Sequence, residues 1–201
     1  MIKAITFDLD GVYFIKGKSN FLNSIVKLGV EKKDAEKVFF GDKMNKKYKL
    51  GKLRDEEFWN WAIKEWGLNI SVNEVIDLMI KGYEVNNKVE EVVKKVRKNG
   101  YKTLICSNNF PARIKGLQKR FKFLNNFDIA VYSYEVGISK PDKRIFQKLV
   151  SQSGVNPQEI VFADDDIEKI SGAKEVGVQA FVYEGFDKFV EKLKELGVNL
   201  S

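Results

Sequence analysis

From Asn87 onward the chain alternates between short apolar runs of strand character and amphipathic helical stretches. "NNKVEEVVKKVRKNG" reads as a helix closed by Gly100, "YKTLICS" as a strand, "PARIKGLQKRF" as a helix and "FDIAVYS" as a strand. The rhythm continues through "PDKRIFQKLVSQSG", "EIVFAD", "EKISGAKEVG", "VQAFVY" and "GFDKFVEKLKELG". Strands joined by helical crossovers call for a parallel sheet with helices on both faces. The apolar segment Ile2–Asp8, which runs into Gly11, supplies one more strand of that sheet.

Between these parts lies a block without strand signals. "SNFLNSIVKLGV" places Phe21, Leu22, Ile25, Val26 and Leu28 near one helical face and stops at Gly29. "LRDEEFWNWAIKEWGL" starts with acids suited to a helix N-terminus and halts at Gly67. Ser71 with Glu74 three residues later forms a capping box. The expected organisation is an α/β, Rossmann-like parallel-sheet core from residues 1–15 and 88–201, interrupted by an all-helical insertion over 16–87. Within the insertion, Trp59 and Trp66, seven apart, suit the interior of a helix bundle, with Trp61 exposed or against a neighbour. The basic stretch "DKMNKKYKLGKLR" is expected to be a solvated helix face, with attraction of an anionic substrate as the other reading.

In parallel sheets ligands bind outside the carboxyl ends of the strands. Those ends carry Asp8 and Asp10, then Ser107, Asn108 and Asn109, then Lys140 before Pro141 and a helix start, then Asp164, Asp165 and Asp166. Carboxylates gathered in a low dielectric repel one another. A hard divalent cation such as Mg²⁺, held by Asp8 with Asp164 or Asp165, resolves the repulsion. A carboxylate can also attack phosphorus, with Lys140, Ser107 and loop N–H groups receiving the phosphoryl oxygens. Asp10, beside the flexible turn at Gly11, is placed to protonate a leaving alcohol and then to activate water.

The 201 residues include no histidine, which excludes a Ser-His-Asp triad, a Cys-His dyad and any His-ligated zinc site. The lone cysteine, Cys106, lies in an apolar run and reads as a buried strand residue. A net charge of +7 favours acidic partners, phosphorylated metabolites, nucleic acid or an anionic surface, without choosing among them; with no recognisable nucleic-acid motif a nucleic-acid partner is not expected, nor is a membrane. "MIKAITFDLD" reaches charge before a long apolar region forms, and no apolar stretch approaches the roughly 20 residues that cross a bilayer. A cytoplasmic location is expected.

"DLDGV", "ICSNN", "SKPD" and "FADDD", in this order and each after a strand signal, resemble the four motifs of the haloacid dehalogenase superfamily, over nearly the whole chain. The resemblance implies Asp8 as nucleophile and Asp10 as general acid/base with a backbone carbonyl on Mg²⁺. It implies Ser107 and the Asn108 N–H on the phosphoryl group, and Lys140 steadying the nucleophile. Asp164 would ligate the metal directly and Asp165 directly or through water. Two departures stand out: Ala163 replaces a glycine frequent in relatives, and Glu168 and Lys169 stand near positions that often carry Asp or Asn. Asp165 is therefore preferred over Glu168 to complete the metal shell, with the alternative open.

An aspartate at position 10 speaks against a dehalogenase, because carbon–halogen cleavage needs no protonated alkoxide. The implied activity is that of a Mg²⁺-dependent phosphatase acting on a small phosphorylated metabolite; a sugar phosphomutase and a non-catalytic binding protein are the alternatives. The helical insertion resembles the small cap that closes over the site in one branch of the superfamily. Arg113, soon after the second motif, is expected on the surface of its helix, with substrate contact as the other possibility.

Overall fold

The computed structural model describes residues 1–41 and 43–201; Asp42, at the head of the basic stretch, lies outside them. In chain order, β1 (Ala4–Phe7) leads through a short loop to β2 (Phe14–Ile15), and then come α1 (Gly17–Lys27), α2 (Lys32–Glu36) and a π-helical turn, Lys37–Gly41. Next are α3 (Lys43–Lys49), α4 (Asp55–Glu65), α5 (Val72–Lys81) and β3 (Glu84–Val85). The alternating region follows as α6 (Asn87–Lys98), β4 (Lys102–Ser107), α7 (Pro111–Phe121), β5 (Ile129–Tyr132) and α8 (Ser133–Val136). It closes with α9 (Lys143–Ser153), β6 (Ile160–Asp164), α10 (Ser171–Val176), β7 (Gln179–Val182) and α11 (Phe186–Glu195).

The five long strands form one sheet in the order β5-β4-β1-β6-β7. All four pairings are parallel. β1 is central: Phe7 pairs with Ile105 on one side and Ala163 on the other. The chain builds outward through β4 and β5, then returns to β1's other flank for β6 and β7. That reversal is the switch point at which such sheets open a crevice.

Side chains alternate between two buried faces. Ile5, Phe7, Ile105 and Val161 join Val89, Val93 and Val96 of α6 and Phe189 and Leu193 of α11. Ala4, Leu104, Cys106 and Phe162 face Phe146 and Leu149 of α9 and Ala173 of α10. Because both faces are covered, β1 is buried throughout and apolar save for Thr6.

The insertion is held by aromatic packing. Phe21 meets Trp59 and Trp66 edge-on at 5.9 and 6.1 Å between centroids, both indoles being buried. Trp61 is half-buried, 5.7 Å from Phe58. Ser71 Oγ accepts from the Glu74 N–H, and Glu74 returns the bond to the Ser71 N–H at 2.7 Å, the expected capping box. The insertion is not wholly helical, however. Glu84–Val85 pairs antiparallel with Phe14–Ile15, so entry and exit lie side by side in a two-stranded ribbon. Strands of two residues leave no periodicity to read, which is why the sequence shows helices alone there. Nor does Pro141 begin a helix: α9 starts at Lys143, with Asp142 as its N-cap accepting from the Arg144 N–H at 2.9 Å. Among the described residues no helix is long and apolar enough to cross a membrane.

Candidate active site

The register of the central strands sets the site. Asp8 follows the last residue of β1, and its N–H donates to the Ala163 carbonyl at 3.1 Å, which places it beside Asp164 at the end of β6. Both are buried, at 3% and 0% exposure. Asp165, exposed, completes a group whose three carboxylates each offer an oxygen within 4.8 Å of the others. Glu168 is not in that group; its N–H instead donates to Asp166 Oδ1 at 3.0 Å.

Lys140 answers these acids from the far side. Its ammonium sits 2.9 Å from Asp8 Oδ1 and 2.5 Å from Asp164 Oδ2, and donates to the Cys106 carbonyl at 2.8 Å. Burial alone would lower its pKa, but Asp8 and Asp164 outweigh burial and raise it. Asp164 moves the other way: burial first, then the charge of Asp8, push it up to about 6 against the pull of Lys140. Burial likewise pushes the Cys106 thiol up to about 12, and no disulfide involves it.

Asn108 holds Lys140 in place. Its amide donates to the Lys140 carbonyl at 2.9 Å and accepts from the Lys140 N–H at 2.8 Å, a two-bond clamp absent from the sequence reading. Ser107, buried at the end of β4, accepts from Asn109 Nδ2 at 3.4 Å. Asp8, Ser107 and Lys140 thus end up around one crevice.

Gly11 shows why the turn after Asp10 is glycine. Its φ is +84°, and a Cβ there would fall 2.0 Å from Asp165 Oδ2. A side chain would both strain the turn and displace a carboxylate of the acid group.

Asp10 is buried and ion-paired with Arg113, with Lys18 Nζ 3.3 Å from its Oδ2. Burial would raise its pKa, but Arg113 and Lys18 hold it well below the usual carboxylate range. Arg113 is therefore not a surface residue: it is 1% exposed, and its guanidinium lies 4.2 Å from the Phe110 ring centroid and 5.6 Å from that of Tyr83. The sequence carried a signal for this. Arg113 falls on the same face of α7 as buried Leu117, one turn on. Lys169, set among positions where acids were awaited, is 3.9 Å from Asp164 Oδ1 and 3.3 Å from Asp166 Oδ2.

The donor set suits a hard divalent ion: converging carboxylate oxygens, no soft ligand, and one exposed member leaving room for water. Asp8, Asp164 and Asp165 would hold it.

The family model for haloacid dehalogenase-like hydrolases matches residues 2–177. The D-ribitol-5-phosphate phosphatase of Bacteroides thetaiotaomicron is 27% identical over 90% of this chain and 91% of its own length. The phosphoserine phosphatase of Thermus thermophilus is 28% identical over 49% of this chain and 40% of its own. Among solved structures, a HAD family enzyme of B. thetaiotaomicron in complex with magnesium and inorganic phosphate superposes with a TM-score of 0.82 at 22% identity, covering 94% of this chain and 99% of that one. The chain belongs to the haloacid dehalogenase-like hydrolases.

Proposed function

We propose that the chain hydrolyses a small phosphomonoester in a Mg²⁺-dependent reaction through an aspartyl-phosphate on Asp8, with residues 16–87 acting as a cap over the site. The observation that carries this reading is the seat of Asp8: its carboxylate lies at the mouth of the central strand, 2.9 Å from the Lys140 ammonium and grouped with the acids Asp164 and Asp165. Bound at those three carboxylates, Mg²⁺ would neutralise phosphoryl charge.

Each remaining step belongs to a side chain. Lys140 cancels part of the negative charge around Asp8, so a phosphate dianion can approach it. An Asp8 oxygen bonds to phosphorus as the ester oxygen departs, and Asp10 gives that oxygen a proton. Asp10 then takes a proton from water, which attacks the same phosphorus, frees orthophosphate and restores Asp8. Ser107 and the Asn108 N–H receive the phosphoryl oxygens. As held by Arg113 and Lys18, Asp10 is in the base form that the second step needs. The acid form requires those contacts to loosen as substrate enters.

The test is phosphate release from a panel of sugar phosphates, phospho-acids and nucleotides, with Mg²⁺ or a chelator. Release should need Mg²⁺ and vanish in Asp8→Asn. Undiminished activity of that variant would refute the mechanism. Transfer to a second sugar hydroxyl without free phosphate would instead make the enzyme a mutase.

A further inference from the structure

On the cap side of Asp10 the charges do not balance. Arg113 from α7 and Lys18 from the first turn of α1 both reach the Asp10 carboxylate. A third cation, Lys49 at the end of α3, has no hydrogen-bond or ion-pair partner for its ammonium among the described residues. Its surroundings are set by the same groups: burial, then Arg113 and Lys18, pull its pKa down to about 7, with Asp10 opposing them and Lys169 adding to the pull. Its neighbour Tyr48 stacks on the Phe110 ring at 4.6 Å between centroids, the ring that also carries the Arg113 guanidinium, which sets the end of α3 at the seam where cap and core meet. The nearby cap acid Asp55 is engaged elsewhere, accepting from Tyr48 Oη at 2.5 Å and from the Ala112 N–H at 3.1 Å.

The seam holds Lys49 firmly. Ser133 Oγ of the core donates to the Lys49 carbonyl at 2.6 Å. Two residues on, Gly51 presses so closely on the core that a Cβ would lie 2.2 Å from the Tyr134 carbonyl oxygen. One turn before Lys49, Asn45 is 1% exposed and its Nδ2 has no acceptor among the described residues. Residues four apart on a helix share a face, so an ammonium and an amide donor both lack partners on one side of α3. A cleft of about 150 Å³ opens at Asp10, Gly11, Lys18, Ser19 and Asp165, on the same side of Asp10 as Lys18. A half-buried ammonium without an anion is costly, and a ligand anion would relieve that cost.

We propose that the leaving-group side of the site receives an anion on Lys49, assisted by Lys18, Arg113 and Asn45, so that the preferred substrate is a phosphomonoester whose alcohol carries a carboxylate or a second phosphate. This rests on the phosphatase reading, which accounts for the transferred phosphoryl group alone. The chemistry shared by the two sources is an oxyanion able to accept charge-assisted hydrogen bonds.

The experiment measures kcat/KM for phosphate release from 3-phosphoglycerate and fructose 1,6-bisphosphate, whose leaving alcohols are anionic, against glycerol 3-phosphate, whose alcohol is neutral. One of the anionic esters should be preferred by about 10- to 100-fold, and which one identifies carboxylate or phosphate. In Lys49→Gln that preference should fall to within about threefold, while Lys49→Arg keeps most of it. Glycerate or inorganic phosphate should inhibit competitively, more strongly in the wild type than in Lys49→Gln, and circular dichroism confirms that each variant is folded. Asp8-dependent hydrolysis with equal kcat/KM for all three esters, or a preference that Lys49→Gln leaves intact, overturns this inference and spares the phosphatase reading. No Asp8-dependent hydrolysis of any phosphate ester overturns both.

Discussion

Asp164 carries the unfavourable balance in the acid group, and its consequence is measurable. Its folded pKa of about 6 lies above the ordinary 3.8, so without metal its charged form is the disfavoured one. A raised carboxyl pKa contributes stability that is full below the unfolded value and lost as pH rises through the folded one. The metal-free protein should therefore gain thermal stability as pH falls from 7 towards 4, with the inflection near 6. Asp10, held low, keeps its contribution through that window. Saturating Mg²⁺ should flatten the profile, and Asp164→Asn should abolish it; melting temperature against pH, with and without chelator, reads all three. A metal-free profile that falls between pH 7 and 5 would show that Asp164 is not under this strain.

At the level of elements, Asp55 shows how local signals and tertiary roles diverge. The sequence marks it as an acid in the first turn of a helix, and it does open α4. Yet its carboxylate also accepts from Tyr48 of α3 and from the N–H of Ala112 in the first turn of α7, tying cap to core. Asp55→Ala should cost about 1–3 kcal/mol in denaturant unfolding, because a buried hydroxyl and a backbone N–H lose their acceptor. A loss below about 0.5 kcal/mol would reduce Asp55 to an ordinary helix-end charge. The five long strands and their order of use were legible because apolar runs alternate with helical periods. The crevice residues were legible because strand ends are where such sheets bind. The ribbon β2–β3, the burial of Arg113 and the Asn108 clamp on Lys140 were not, since each depends on contacts between distant segments that leave no local period.

For the molecule as a whole, the helical insertion packs against the core around groups that the proposed reaction would bring to substrate. Asp8, Asp10, Ser107 and Lys140 are all under 7% exposed, so on the proposed mechanism the two parts should separate to admit substrate. The ribbon, with two pairs of residues, carries the chain into and out of the insertion. Hydrogen exchange should find its amides, and those of residues 49–53 at the seam, opening at least about a hundredfold faster than those of β1, β4 and β6. Uniform protection across ribbon and sheet would mean that the cover does not lift without substrate. The route of the chain between sheet and ribbon adds a constraint. Phe14 donates to the Leu9 carbonyl at 2.7 Å and Gly11 to the Phe14 carbonyl at 2.8 Å, so the turn bearing Asp10 is laced directly to the first ribbon strand. The ribbon strand and the turn that bears Asp10 are a single piece of backbone. On the proposed mechanism, lifting the insertion would swing Asp10 out of line, so that a bound ester would meet its proton donor once bulk solvent has been shut out.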